Sequence, residues 1–459
     1  MNNIVEEFYL PSLEECKITI MGLGYVGIEV ALGFGSISKN LLNNKTLNRK
    51  IIGFDTDERR INELISSYDR NMEVSEKRIN EAKFLEFTNN TSKLIDSDIF
   101  IVTVPTPIDL GKNPDLNPLI NVSKMIGGIL KKRAQTLPDA SPCIVIFEST
   151  VYPGATEEVC TPIIEKESCL KYNQKRRKDT FFTGYSPERI NPGDKLNNFD
   201  TISKVTSGSN ISVANWVNNL YGSVIKAGTY KASSIKVAEA SKIVENVQRD
   251  INIALMNEFA IIFNKLNISC LEVIDAAKTK WNFLNFRPGL VGGHCIGVDP
   301  YYLTYKSKLG GYYPDMISTS RRINDNMSNW ISELIINNLI TKNLKILEQN
   351  ILLLGLSFKA DTNDIRNSKV FEVYNKLHNL GVKCHVFDPY IESKTKDVKS
   401  INLIEELPKN KYYTCAVVLV DHKLFKSWKN RQWQDLIKEN GFIIDLHGIV
   451  PKELKAIII

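Results

Sequence analysis

A strand that runs directly into a glycine-rich turn is the feature that most restricts the fold of this chain. Residues 17–27 read KITIMGLGYVG, an apolar segment with Gly22, Gly24 and Gly27 in the spacing G-x-G-x-x-G. The following residues, IEVALGFG, are compatible with a helix. In such a unit the glycines permit a tight turn, the approach of a pyrophosphate and close helix–strand packing. The motif therefore predicts a dinucleotide site, with a helix N-terminus facing the anion.

A second strand, KIIGFDTDERR at 50–60, ends in Asp55. A carboxylate at this position accepts hydrogen bonds from both ribose hydroxyls of NAD and disfavours the 2′-phosphate of NADP. Asp55 lies 28 residues after Gly27, beyond the usual spacing of about 20, and the Asn- and Lys-rich segment 38–50 has the composition of a surface insertion that accounts for the excess. A turn acid without a ligand is the alternative interpretation. We predict NAD as the cofactor.

Further apolar strands follow in the order of a doubly wound domain that extends to about residue 225. They are DIFIVTVPTP (98–107), SPCIVIFESTVYPGAT (141–156) and TFFTGYSPERINPGD (180–194). Ligands bind at the carboxyl ends of parallel strands. The small hydroxyl of Thr150 is therefore a candidate site group, and the loop after the last of these strands carries Glu188 and Arg189.

Residues 231–266 have apolar side chains at helical spacing and contain neither Pro nor Gly. A helix of this length usually forms the spine between two domains and often a dimer contact. Lys242 and Asn246 are four residues apart and therefore share one face of it. An ordinary solvated pair is the alternative interpretation of these two residues.

The last third repeats the strand-and-loop order of the first but lacks its glycine fingerprint, since GLSFKA stands in place of GLGYVG. The apolar strands lie within 350–368, 381–390, 415–422 and 442–448. We predict an α/β fold with two Rossmann-like parallel-sheet domains joined by a long central helix. The predicted domains are 1–225 for NAD, 226–340 for dimerisation and 341–459 for the substrate.

Composition limits the class of protein. The chain has 459 residues, 43% of them hydrophobic, and a net charge of +6, which is modest for its length. It has no run of 18 apolar residues and no cationic segment preceding an apolar one at its start, so we expect neither a membrane span nor a secretory signal. Its eight cysteines are scattered without a C-x-x-C pair. We therefore expect a cytoplasmic protein without metal or nucleic acid.

The stretch VGGHCIGVDP at 291–300 places Cys295 among glycines. The adjacent His294 argues against a shared metal, because neighbouring side chains on an extended chain point to opposite sides. An inert buried thiol and a nucleophile both stay open. Gly292 and its neighbours permit close approach of the backbone to a ligand, and Asp299 is close enough in sequence to share the site. Beside an NAD domain, a thiol can oxidise an aldehyde through a covalent adduct.

Over essentially its whole length the sequence resembles the UDP-glucose/GDP-mannose dehydrogenase family. The matching motifs are GLGYVG, VTVPTP, ESTVYPGAT, YSPERINPGD, the Lys242–Asn246 helix, GGHCIGVDP and FKADTNDIRNS. The phrase HCIGVDPYYLT is similar to the branch that acts on UDP-N-acetylhexosamines, since UDP-glucose enzymes usually have Ser before the Cys. UDP-N-acetylmannosamine enzymes are close relatives.

The resemblance implies a four-electron oxidation of a sugar C6 hydroxymethyl group to a carboxylate by two NAD⁺, for surface polysaccharide synthesis. It implies Cys295 as nucleophile, Lys242 and Asn246 at the oxyanion, Asp299 as base with a water, and Glu188 with Thr150 at the hydrolytic water. The cofactor residues that it implies are Gly22, Gly24, Tyr25, Val26, Gly27, Asp55, Arg60, Thr106, Thr150 and Arg366. The substrate residues are Glu188, Arg189, Lys242, Asn246, Arg287, Gly292, His294 and Lys359. A homodimer through the long helix is implied as well.

Two other classes compete with this interpretation. A two-electron β-hydroxyacid dehydrogenase shares the NAD domain and the Lys/Asn helix but lacks the Cys loop and the second α/β lobe. A non-catalytic NAD sensor would have lost site residues, whereas Cys295, Lys242, Asn246, Glu188 and Asp299 are all present. Both are disfavoured by the sequence.

Overall fold

Two parallel β-sheets with flanking helices form the framework of the chain, as seen in a computed structural model. The structure describes residues 8–175, 178–190, 199–293, 296–393, 398–408 and 410–459. One long helix lies between the two sheets in the order of the sequence. The two sheets and this helix confirm the predicted α/β fold with two Rossmann-like sheets and a central helix.

The first sheet has nine strands in the described part of the chain, in the order β3-β2-β1-β4-β5-β7-β8-β9, with β6 paired to β7. They are β1 (Ile18–Met21), β2 (Ile51–Phe54), β3 (Leu85–Thr88), β4 (Ile99–Val102), β5 (Cys143–Phe147), β6 (Lys171–Tyr172), β7 (Thr180–Tyr185), β8 (Lys204–Gly208) and β9 (Thr229–Lys231). The central strands are buried on both faces, which explains their unbroken apolar runs. Among the strand pairs that the structure describes in this sheet, β7 and β8 alone run antiparallel. The strand order reverses between β1 and β4, where ligands bind in such sheets.

The helices of this part connect the parallel strands. They are α1 (Tyr25–Gly35), α2 (Glu58–Ile65), α3 (Glu76–Glu81), α4 (Asn117–Thr136), a π-helical turn (Thr156–Cys160) that leads into α5 (Thr161–Ser168), and α6 (Ile211–Gly222). Side-chain caps fix several starts. Asn210, for example, accepts a hydrogen bond from Val213 N at the beginning of α6.

The segment 38–50 is less of a surface insertion than the sequence indicated. Asn40, Leu47 and Arg49 are buried, although Leu41 and Leu42 are exposed. Arg49 Nη1 donates to Ser223 Oγ at 2.8 Å, which ties the segment to the end of α6. The surrounding Asn and Lys residues give the segment a polar composition, and for this reason the sequence did not indicate that Leu47 and Arg49 are buried.

The long helix, α7, spans Ile235–Lys265, slightly less than the predicted 231–266 because the first residues belong to β9 and the turn after it. It is followed by α8 (Cys270–Ala277), α9 (Asp299–Leu309) and α10 (Asp315–Thr341). The chain divides into two compact units. The residues of α7 up to Glu245 belong to the first unit, and those from Asn246 onward belong to the second. The first unit includes Tyr301–Gly310, and the second contains Asn246–Pro300 and Gly311–Ile459. The three predicted domain ranges stay a prediction.

The second sheet has five described strands, all parallel, in the order β11-β10-β12-β13-β14. The elements are β10 (Asn350–Leu354), α11 (Val370–Asn379), β11 (Lys383–Phe387), β12 (Tyr413–Val418), α12 (Lys423–Lys426), α13 (Asn430–Leu436), β13 (Ile437–Asp445) and β14 (Ile457–Ile458). Short 3₁₀ turns lie at Thr91–Leu94, Ile346–Glu348 and Lys452–Leu454. None of the helices in the described residues combines the length and apolar character needed to cross a membrane.

We expect Leu353→Ala to lower the free energy of unfolding by about 2–5 kcal/mol, because Leu353 is fully buried in β10 and the truncation leaves a cavity. Leu347→Ala, at a side chain 60% exposed, is the matched control and should change it by less than about 0.5 kcal/mol. Urea denaturation followed by far-UV circular dichroism measures both. Equal effects from the two variants would contradict the assigned core.

Candidate active site

The glycine turn after β1 is built so that a ligand can approach its backbone. Gly22 has φ +99°, and its N–H donates to Phe54 O at 2.8 Å. A Cβ on Gly27 would lie 1.8 Å from Gly22 O, so α1 packs on the turn only because that residue is glycine. Gly24 has no atom within 4 Å of the position a Cβ would take, and no side chain caps the helix there. The first N–H groups of α1, at Tyr25 and Val26, therefore start beside open space that suits a pyrophosphate.

Asp55 follows β2 and closes the turn from the other side. Its Oδ2 accepts a hydrogen bond from Leu23 N at 2.8 Å, and its Oδ1 accepts one from Asp57 N at 2.9 Å. A pocket of about 490 Å³ lies next to it, lined by Gly22, Asp55, Thr56, Val104, Val122 and Met125 among others. Asp115, Asn117 and Asn121 line it as well, and Asp55 is the carboxylate at the glycine turn, where it fits an adenosine whose ribose hydroxyls bond to it. The residues present thus fit the NAD that the sequence predicted.

Arg60 supports the glycine turn from within the protein. It is buried, its Nε donates to Leu23 O at 2.9 Å, and its Nη1 pairs with Asp69 at 2.7 Å. Nη2 is buried without a hydrogen-bond partner in the described residues. Its predicted contact with the cofactor stays a prediction, while its contact with the turn is direct.

Thr106 and Thr150 follow β4 and β5, at the same edge of the sheet as the glycine turn. Both are half-buried. The backbone beside Thr150 is fixed, because Ser149 Oγ donates to Val104 O at 2.6 Å and Tyr185 OH donates to Ser149 O at 3.1 Å. Two neighbouring strand ends therefore present hydroxyl groups where the sequence placed them.

The predicted Glu188 lies in a buried charged cluster. Lys204 Nζ donates to Glu188 Oε2 at 2.8 Å and to Glu148 Oε2 at 2.7 Å, while Tyr221 OH donates to Glu148 Oε1. Arg189, next to Glu188, forms an ion pair with Glu245 at 2.7 Å. Sequence reasoning missed Lys204 and Tyr221. For Lys204 the sequence offered one signal, a lysine at the start of the segment KVTSG, whose first four residues are buried in β8.

Lys242, Asn246 and Asp299 are all buried, with 8%, 4% and 2% of their surface exposed. The solvated-pair interpretation of Lys242 and Asn246 is therefore wrong. Asn246 Nδ2 donates to Asp299 Oδ2 at 2.5 Å, and Asp299 lies in the first turn of α9, where the helix dipole favours a carboxylate. One turn of α7 thus presents an ammonium and an amide, and the amide is fixed by a buried acid.

The chain that leads to the cysteine loop is tightly held, although His294 and Cys295 themselves lie outside the described residues. A Cβ on Gly292 would lie 2.8 Å from Asn367 O, and Gly293 has φ +81° with the Phe358 ring at 2.9 Å from its Cβ position. Asn367 Nδ2 also donates to Gly293 O at 3.1 Å. The glycines are needed here for close packing on the loop of FKADTNDIRNS.

Upstream, Asn257 of α7 fixes the same segment through both its amide atoms. Its Oδ1 accepts from Gly289 N at 2.8 Å and its Nδ2 donates to Gly289 O at 3.1 Å. The amide also donates to Asn324 Oδ1 at 2.8 Å. These bonds give residues before the cysteine loop a defined backbone path.

A second pocket, of about 190 Å³, lies at the carboxyl ends of the strands of the second sheet. Gly289, Gly292, Ser357, Phe358, Lys359 and His447 are among the residues that line it. Two of the predicted substrate residues, Gly292 and Lys359, therefore line the same pocket. Arg287 and Arg366 do not line it. Arg287 pairs with Asp275 at 2.7 Å, and Arg366 pairs with Asp364 at 2.5 Å.

The turn after β10 in the second sheet resembles the glycine turn after β1. Its carboxylate, Asp388, is hydrogen-bonded to residues of the protein itself. Asp388 Oδ2 accepts from Leu356 N at 2.7 Å and from Ser357 N at 3.0 Å, as Asp55 does from Leu23. His422 Nδ1 accepts from Asp361 N at 2.9 Å, so its Nε2 carries the hydrogen and donates to Asp388 at 3.0 Å. Burial alone would raise the pKa of Asp388, but His422 and these N–H groups lower it.

Among the described residues, no group of three or more His, Cys, Asp or Glu side chains is arranged to hold a metal ion.

Comparison with known proteins covers nearly the whole chain. Residues 16–225, 236–326 and 352–452 match the NAD-binding, central and UDP-binding domains of the UDP-glucose/GDP-mannose dehydrogenase family. The chain is 44% identical to UDP-N-acetyl-D-glucosamine 6-dehydrogenase of Salmonella typhi, covering 96% of this chain and 98% of that one. It is 46% identical to Protein CapL of Staphylococcus aureus, over 95% and 97%. The structure of UDP-D-ManNAc dehydrogenase from Pyrococcus horikoshii superposes with a TM-score of 0.80 at 27% identity, over 95% and 96%.

We expect Asp55→Asn to weaken NAD binding about tenfold or more, because hydrogen bonds to a charged acceptor contribute about 1.5–3 kcal/mol. Calorimetric titration of NAD into the protein measures this without turnover. Asp57→Asn, at the exposed N-cap of α2, is the control and should leave the dissociation constant within about twofold. Equal affinity of Asp55→Asn and the unmodified protein would place the ribose elsewhere.

Proposed function

Since the chain belongs to the UDP-glucose/GDP-mannose dehydrogenase family, we propose that it oxidises C6 of a UDP-N-acetylhexosamine, UDP-GlcNAc or UDP-GalNAc, to the carboxylate. It is an NAD-dependent oxidoreductase, a nucleotide-sugar 6-dehydrogenase. The observation that carries the proposed chemistry is the burial of Lys242 and Asn246 on one face of α7, with Asn246 bonded to Asp299. Groups of this kind stabilise a developing alkoxide and accept its proton.

The reaction balances as one sugar CH₂OH, one water and two NAD⁺ giving one carboxylate, two NADH and three protons. When bound, NAD accepts the hydride that leaves C6 in each oxidation. Gly22, Gly24 and Asp55 would hold its pyrophosphate and ribose, and Thr106 and Thr150 lie at the same sheet edge. All remaining steps belong to side chains of this protein.

In the first oxidation, Asp299 accepts the C6 hydroxyl proton through an ordered water, and Lys242 and Asn246 stabilise the oxyanion. The Cys295 thiolate then adds to the aldehyde carbon, and the thiohemiacetal loses a second hydride to become a thioester. Burial strengthens the interaction of Lys242 with an oxyanion, because the local dielectric is lower than that of water.

Hydrolysis of the thioester completes the reaction. Glu188 accepts a proton from the attacking water, which Thr150 helps to hold. The C–S bond breaks, its electron pair returns to Cys295 as a thiolate, and the proton of the product acid and the proton held by Glu188 both pass to solvent. An anionic Glu188 is required, and its bond to Lys204 favours that form.

On the substrate side, we assign the UDP moiety to the pocket lined by Gly292, Ser357 and Lys359. Lys359 supplies positive charge for the diphosphate. Arg287 and Arg189 stay candidates for further contacts with the substrate, and His294 for a contact with the N-acetyl sugar, while Arg366 stays a candidate for the cofactor. The relative named for UDP-N-acetyl-D-glucosamine, at 44% identity, favours this class of substrate.

UDP-N-acetylmannosamine is the second candidate substrate, favoured by the similarity to the Pyrococcus horikoshii enzyme. UDP-glucose is a weaker candidate. We further propose that the product enters surface polysaccharide synthesis, as the resemblance of the sequence to this family implies.

We expect two NADH per sugar consumed with UDP-GlcNAc or UDP-GalNAc, because both oxidations are completed before release. Absorbance at the NADH band and product mass, with UDP-ManNAc and UDP-glucose in parallel, measure this. Cys295→Ser should bind NAD normally but release no carboxylate, whereas Cys169→Ser, at an exposed thiol, should keep full turnover. Full turnover of Cys295→Ser would refute the thiol adduct, and a single NADH would refute the four-electron reaction.

We also propose a homodimer through α7. Four apolar side chains of this helix are exposed at spacings that form a stripe, Val237, Val244, Leu255 and Ile262, and the exposed Leu266 follows directly after the last residue of the helix. An exposed apolar stripe on a long helix is stabilised by burial against a second copy.

The double variant Val244→Glu, Ile262→Glu should halve the mass measured by light scattering after gel filtration, because buried unpaired carboxylates oppose association. Leu110→Glu, at a fully exposed side chain away from α7, is the control and should leave the mass unchanged. A monomeric unmodified chain, or a dimer unaffected by the double variant, would contradict the assigned interface.

A further inference from the structure

Three buried charged side chains meet at the carboxyl end of the first sheet. Glu148 follows β5, Glu188 lies in the loop after β7, and Lys204 is the first residue of β8. The Lys204 ammonium bridges them, at 2.7 Å from Glu148 and 2.8 Å from Glu188. Each is less than one-tenth exposed.

The antiparallel direction of β8 puts the lysine at this edge. Gly184 pairs with Gly208 and Tyr185 with Ser207, so the same register continued places Lys204 opposite Glu188. In a parallel strand the first residue would lie at the other edge, far from the strand ends that carry ligand groups. The reversal of one strand therefore delivers a cation to the side chain assigned to hydrolysis.

The charges of the cluster depend on this cation. Burial raises the pKa of Glu148 to about 7, with Lys204 opposing the rise and Glu188 adding to it. Burial also favours neutral Glu188, but Lys204 and the N–H groups of Ile190 and Arg189 outweigh it, and the pKa of Glu188 is lowered. The ammonium itself lies over the Tyr221 ring, 5.4 Å from its centroid, which favours its charged form.

We propose that Lys204 is a positioning residue for the hydrolytic half of the reaction: it holds Glu188 as an anion with Oε2 fixed, while backbone N–H groups fix Oε1. The Oε1 contacts come from Arg189 N at 2.6 Å and Ile190 N at 2.7 Å. The inference rests on the proposed function, since it assumes that Glu188 acts on the thioester. Glu148 shares the ammonium and, because burial raises its pKa, is the carboxyl group of the pair that is protonated more readily.

The groups around the cluster are accounted for in the described residues. Tyr221 of α6 donates to Glu148, and Arg189 is directed to Glu245 and to Ser203 O at 3.0 Å. Lys204 is thus the cation bonded to both carboxylates. Without it, two buried carboxyl groups would face each other, and like charges at such a distance favour retention of a proton.

The test is the pH dependence of thioester hydrolysis in Lys204→Met, measured by rapid mixing as the second-phase release of carboxylate. Hydrolysis needs ionised Glu188, so its rate rises with pH through the pKa of that group. Loss of the cation raises this pKa, and the rising limb should move up by about one unit or more. On the rising limb, at pH values below the pKa of Glu188, hydrolysis should then fall about tenfold, while the two NADH-forming steps keep their rates.

Two further variants separate positioning from folding. Glu148→Gln removes the neighbouring carboxylate, and the rising limb of the pH–rate profile for thioester hydrolysis should stay in place or move to lower pH. Lys204→Arg keeps the charge and should restore the limb of the unmodified enzyme. Lys226→Met, at an exposed lysine paired with Asp200, is the control and should change neither phase. A uniform rate loss in Lys204→Met without a shifted limb, or an upward shift in Glu148→Gln, would overturn the proposal.

Infrared spectroscopy of the ligand-free protein gives a readout that needs no substrate. In a Glu148→Gln background, Lys204→Met should show a protonated-carboxyl band at a pH where the protein with Lys204 shows none, and the band should disappear when Glu188→Gln is added. Absence of that band overturns the proposed control of ionisation. If the unmodified protein makes no NADH with any UDP-sugar, the proposed function fails, and the infrared result still decides whether Lys204 keeps Glu188 charged.

Discussion

The structure depends on one hydrogen-bonded device, a carboxylate after the second strand that caps the backbone turn after the first. In the first unit Asp55 accepts from Leu23 N, and in the second Asp388 accepts from Leu356 N and Ser357 N. Each turn starts with a glycine at positive φ, where other residues are strained. The bond fixes the direction in which the chain leaves the sheet, and with it the position of every ligand group at that edge.

The two carboxylate-capped turns differ in how many hydrogen bonds their carboxylate can still accept from a ligand. Asp55 is half-buried beside a pocket, so its remaining lone pairs can accept ribose hydroxyls. Asp388 is fully enclosed, and His422 donates to it as a ribose hydroxyl would. The match of the first unit to an NAD-binding domain and of residues 352–452 to a UDP-binding domain agrees with this difference. One architecture thus serves two nucleotides, because an internal side chain satisfies the acid in the second copy.

Several buried charged groups lie at the carboxyl end of the first sheet and along α7. Charges removed from water are costly unless they are paired or hydrogen-bonded. The charged groups of the Glu148–Lys204–Glu188 cluster are paired with one another, and Asp299 is hydrogen-bonded to Asn246. The positions of their oxygen and nitrogen atoms are therefore fixed. Such groups keep their geometry because several bonds hold each of them, which a flexible surface residue cannot achieve.

The sequence alone determined the main apolar strands, the long helix and the NAD fingerprint, because strand periodicity and glycine spacing are local properties. The residues assigned to chemistry came from the resemblance of the sequence motifs to the family. Only the tertiary structure decided the burial of Lys242 and Asn246, the packing of segment 38–50 and the place of Lys204 beside Glu188. These depend on which distant segments pair and in which direction. A lysine at the start of a strand reads as solvated until the antiparallel register of that strand is known.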